Sequence, residues 1–133
     1  MDKITKDSSL NDIQKWLSEL EYECTQVDDS SLILKYNSIK TIMTITKNHN
    51  FVFIMPLEIK EGVDEITTLR TINKINGQII SGNISSHGKF VNFTFSLVRP
   101  YGMGKKGFSV FLDYNIKLLG FIVEKLGLSE ITE

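Results

Sequence analysis

The sequence predicts an α+β domain in which helices pack on a mostly antiparallel sheet, with elements in the order α-β-β-β-β-α-β-β-α. Apolar residues recur at three- and four-residue spacing in three separate stretches. Between them, short runs of β-branched and aromatic residues come in blocks of four and two, bounded by turn residues. No strand–helix–strand–helix alternation calls for a parallel sheet. A length of 133 residues suits one core, so residues 1–133 are expected to form a single domain.

Ser8-Ser9 precede Leu10, Ile13, Trp16, Leu17 and Leu20, an amphipathic first helix with Asp12 placed three after Ser9 as a capping box. Four extended runs follow. Tyr22 to Val27 turns at Asp28-Asp29-Ser30 into Leu32 to Tyr36, and Asn37-Ser38 turns into Ile39 to Lys47. Asn48-His49-Asn50 then leads into Phe51 to Met55, closed by Pro56. Beyond Glu61-Gly62 a helical period returns, with Ile66, Leu69, Ile72 and Ile75 on one side and Gly77 as the stop. Ile79 to Ser85 and Phe90 to Val98 form a hairpin around Ser86-His87-Gly88-Lys89. In its second strand Val91, Phe93, Phe95 and Leu97 share one parity, giving one dry and one wet face. The last helix, Phe108 to Leu126, carries a wide apolar face and ends at Gly127.

Fifteen Lys and Arg against sixteen Asp and Glu leave a net charge of −1, which supplies no field to draw in nucleic acid or anionic lipid. The first fifteen residues carry charges throughout, and no apolar run approaches the ~18 residues that span a bilayer. The expectation is a cytoplasmic protein with neither nucleic acid nor membrane as partner. His49 and His87 fall in separate turns, so no metal site is expected. Cys24, beside Glu23, reads as structural, because an adjacent carboxylate weakens a thiol nucleophile. No serine sits in a nucleophile elbow, and no base has an evident activator. The chain therefore reads as not an enzyme, with no catalytic residues and no cofactor.

Two segments carry binding hypotheses. Gly102, Gly104, Lys105, Lys106 and Gly107 spell G-x-G-x-x-G between a strand and a helix, where backbone N–H groups could hold an anion. A dinucleotide site would need a second parallel strand after that helix, and the sequence stops about one turn beyond it. What remains is a flexible glycine loop, or a small-ligand or anion sensor built on it. The second segment is Phe51 to Met55, in which both parities are apolar. That pattern fits a strand buried on both faces, or one facing an apolar groove for a partner segment that includes Val52, Ile54, Leu57 and Ile59. Gly120 inside the last helix, and the breadth of that helix's apolar positions, predict a homodimer.

With these elements placed, the sequence resembles the YbjN family, described as candidate sensory transduction regulators that share the fold of type III secretion chaperones. Leu17 to Tyr22 is similar to the family's first helix and its exit, Phe53 to Leu57 to its strand ending at proline, and Ile72 to Asn76 to its asparagine-bearing helix end. The aromatic helix from Phe108 to Leu126 fits as well. Glu21 stands where the family often has glycine, and the chain is nearly neutral where secretion chaperones are acidic. The resemblance implies a non-enzymatic domain that binds a protein or peptide segment, as a chaperone-like or regulatory adaptor, and often dimerises.

Overall fold

The computed structural model describes residues 1–36 and 38–133. Three helices, α1 (Leu10–Glu19), α2 (Glu65–Asn76) and α3 (Lys105–Lys125), accompany six strands: β1 (Glu23–Gln26), β2 (Ser31–Tyr36), β3 (Ile39–Ile45), β4 (Phe51–Glu58), β5 (Asn83–His87) and β6 (Phe90–Leu97). The strands form one sheet in the order β1-β2-β3-β4-β6-β5, antiparallel throughout. The α+β class and the element order match expectation. Of the expected Asn37-Ser38 turn, Asn37 lies outside the described residues.

α1 begins as its residues dictate. The Ser9 side chain accepts from the Asp12 amide and the Asp12 carboxylate accepts from the Ser9 amide, which satisfies two otherwise orphaned donors. Its buried residues Leu10, Ile13, Trp16 and Leu17 face the sheet. α3 starts at Lys105, three residues before the expected Phe108, with Gly104 as its N-cap.

The buried set is single-sided. Leu32, Leu34, Met43, Phe51, Phe53, Met55, Val91, Phe93 and Phe95 all share the sheet face on which the helices lie. Phe53 stacks on Phe95 with ring centres 4.9 Å apart, and Phe108 and Phe111 of α3 close over them. Each fully buried side chain of this kind contributes about 1.5–3 kcal/mol of transfer free energy, so this layer is the main source of stability.

Three expected boundaries shift. β4 runs through Pro56 to Glu58, although its pairing with β3 ends at Ile54. From there β4 is an edge on that side, where proline removes no ladder bond. The α2 face that is buried is Thr68, Ile72 and Ile75, while Ile66 and Leu69 are 62% and 48% exposed. Thr68 can be buried because its hydroxyl donates to the Asp64 carbonyl at 3.0 Å. β5 begins at Asn83 rather than Ile79, and Ile80 is fully in solvent. The β5–β6 turn is just Gly88-Lys89, since His87 pairs with Phe90, and Gly88 supplies the positive φ of 58° that this tight link demands.

Both termini are built into the fold. Ile4 is buried and its amide donates to the Met103 carbonyl. Leu128 and Ile131 are buried beyond α3, with Lys60 donating to the Ile131 carbonyl and Glu133 to that of Glu58. No helix is long and apolar enough to cross a membrane among the described residues.

Candidate binding face

The sheet has a second face, and among the described residues no helix covers it. Period two places Val52, Ile54 and Pro56 of β4 there, opposite in direction to buried Phe51, Phe53 and Met55. The pairing register assembles a row across all six strands: Thr25, Ile33, Ile42, Ile54, Thr94 and Asn83. A second row holds Ser31, Thr44, Val52 and Ser96, in which the Ser31 and Thr44 hydroxyls bond across the strands at 2.9 Å. Pro56, Asn92 and Ser85 begin a third.

The centre of this face is aliphatic and half-buried, its flanks are hydroxyl and amide, and its charges stand at the corners, Glu23, Lys35 and Lys40 at one and Glu58, beside exposed Phe90 and His87, at another. Six strands about 4.8 Å apart and rows about 7 Å apart give a surface on the order of 600 Å². An uncharged aliphatic centre with a polar surround is the composition of a protein-contact patch.

Of the four expected partner-binding residues, the structure brings together Val52 and Ile54 and sets them beside Ile33 and Ile42. Leu57 and Ile59 lie on the helix side, half-buried against the core. Ile33 and Ile42 went unnoticed in the sequence because only the strand pairing brings them to Ile54.

The glycine loop is engaged within the chain. The Gly102 amide donates to the Ile4 carbonyl at 2.7 Å, and Lys3 bridges to Gly104. Lys105 is ion-paired with Glu19 at 2.7 Å, and its hydrogen bond holds the Glu19 carboxyl below its ordinary range. Lys106 and Gly107 are exposed at the start of α3. Gly102, at φ 87°, is a turn glycine. The loop thus fastens the N-terminal segment to α3, and the anion-sensor reading has just Lys106 and helix amides left to work with.

Cys24 sits half-buried on β1, and burial pushes its thiol up from the ordinary value, away from reactivity. His49 occupies the β3–β4 turn beside the Tyr101 ring, and His87 ends β5. Among the described residues, no three His, Cys, Asp or Glu side chains gather to hold a metal ion.

No family model and no curated protein matches the chain by sequence. Among solved structures, YbjN of E. coli, described as a candidate transcription regulator, aligns with a TM-score of 0.74 at 12% identity, covering 95% of this chain and 96% of its own. The chain therefore has a YbjN-like α+β fold: three helices over a six-stranded antiparallel sheet.

Proposed function

We propose that this chain is a non-enzymatic binding domain, of the regulatory or adaptor kind, that takes a protein or peptide segment on its uncovered sheet face. The observation that carries the reading is the row Ile33, Ile42 and Ile54, left half-buried in the middle of a sheet whose other face holds every helix. An aliphatic strip of this kind on a stable, nearly neutral domain gains free energy of about 25 cal/mol per Å² once a partner covers it. The whole face around the strip, on the order of 600 Å², approaches the roughly 800 Å² that each side of a standard interface contributes. The description of YbjN as a candidate transcription regulator is compatible with such a role. In this reading the working unit is a cytoplasmic homodimer.

Site-specific photo-crosslinking tests the proposal. A photoreactive side chain at Thr94 on the uncovered face is expected to trap a discrete partner in cells, while the same group at Asn73 on exposed α2 is expected to trap none. Equal, diffuse labelling from both positions contradicts the assignment of the face.

A further inference from the structure

α3 turns a second set of side chains away from the sheet. Val110, Tyr114 and Phe121 are 61%, 54% and 51% exposed. At about 100° per residue they fall within one arc of about 120° that also holds Lys106, Asp113, Lys117, Gly120 and Glu124. Three large apolar side chains on the outward side of the longest helix are not accounted for by the packing of this chain. Neither is Gly120. A glycine inside a helix costs about 1 kcal/mol relative to alanine. Among the described residues, nothing outside its own helix backbone lies within 4 Å of where its Cβ would stand.

The charges on this arc have an order. Lys106, Asp113, Lys117 and Glu124 alternate in sign along the helix, and Lys117 already pairs with Asp113 at 2.8 Å. They are also spaced symmetrically about the level of Asn115. Lys106 and Glu124 stand equally far on either side, as do Asp113 and Lys117, and so do Val110 and Gly120. A second copy of the helix laid antiparallel about that level sets each cation against an anion. A parallel copy in register sets like against like. The antiparallel arrangement also seats Val110 on the bare backbone of Gly120 in the second copy, with Phe121 alongside.

We propose that two copies of this chain pair through the outward side of α3, antiparallel, about a twofold axis level with Asn115. The seam is isologous, as a closed dimer requires. It leaves both uncovered sheet faces free. It rests on the homodimer reading above and adds to it where the copies meet. α3 spans 21 residues, a length of about 32 Å. One helix pair of that length buries less than the roughly 800 Å² per partner of a standard interface, so dissociation is expected in the micromolar range.

Sedimentation velocity from about 5 to about 500 µM separates the outcomes. The samples are the parent, Val110→Asp, Glu124→Lys and the swap Lys106→Glu/Glu124→Lys, all at exposed positions and each checked for native circular dichroism. The parent is expected to pass from monomer to dimer. Val110→Asp and Glu124→Lys are expected to raise the dissociation constant about tenfold, because each change occurs twice across the twofold axis. The swap is expected to restore the parent's value within about threefold. A monomer at every concentration overturns both the dimer and the α3 seam. A dimer indifferent to Val110→Asp and Glu124→Lys overturns the seam alone and leaves the homodimer standing. A swap no better than Glu124→Lys overturns the antiparallel register.

Discussion

The side-chain amide of Asn76 pairs with both backbone groups of Ile84. Its Oδ1 accepts from the Ile84 amide and its Nδ2 donates to the Ile84 carbonyl, each at 2.8 Å. β5 is an edge strand, and its outward N–H and C=O would otherwise invite pairing with another chain. From the end of α2, Asn76 thus acts as a one-residue strand that fastens the helix to the edge and closes it. The helix itself ends at Gly77, the stop that the sequence predicts, which leaves the Asn76 side chain free for this role.

Replacing Asn76 by alanine leaves both backbone groups of Ile84, which is 2% exposed, without their hydrogen-bond partner. It is expected to lower stability by about 1–3 kcal/mol. Asn76→Asp is expected to do at least as much harm at neutral pH, because a carboxylate oxygen then faces the Ile84 carbonyl. Urea denaturation measures both, and unchanged midpoints would contradict the role given to Asn76.

Glu21 follows α1 with φ 68°, a left-handed conformation that disfavours a side chain. Glu21→Gly relieves about 1–2 kcal/mol of strain and returns part of it through the greater freedom of the unfolded chain. The expected result is a stabilisation of up to about 1 kcal/mol, read as a higher thermal midpoint. A lower midpoint would mean that the Glu21 side chain makes an interaction worth more than the strain.

Asp64 caps α2 by accepting from the Thr67 amide at 2.7 Å, and hydrogen bonds from Thr67 hold its carboxyl below the ordinary 3.8. Because the folded value is depressed, this contribution is complete above pH 3.8 and is lost as the pH falls through the folded value. Asp64→Asn keeps an acceptor oxygen without the titration. The variant is therefore expected to lose less stability than the parent between pH 7 and about pH 3, compared by denaturant midpoint. Equal losses would contradict this assignment.

Much of the fold was legible in local patterns. The Ser9/Asp12 capping box, the dry parity of β6 and the apolar face of α3 are each set by neighbours in sequence, where periodicity is informative. The burial of Ile4, Leu128 and Ile131 was not legible, since those residues gain their places through pairing with Met103 and with Glu58 to Lys60. Leu69 shows the limit of a helical period. It lies on the flank of α2's apolar stripe, and contact with β5 selects Thr68, Ile72 and Ile75 instead. At the binding face, Val52 and Ile54 announce themselves by parity, and strict counting by two already puts Leu57 on the other side. Ile33 and Ile42 belong to the face through the register of three strands, which no single segment encodes.

The central claim is that the face around Ile54 meets a partner and does not hold up the fold. Ile54→Asp tests it most directly, with the denaturation midpoint and the Thr94 crosslink read on the same variant. A charge in a buried core would cost several kcal/mol, whereas on an uncovered face it is solvated. The expected result is a midpoint within about 1 kcal/mol of the parent together with loss of the crosslinked partner. A folded Ile54→Asp protein that still traps the same partner, or one that unfolds, would contradict the account.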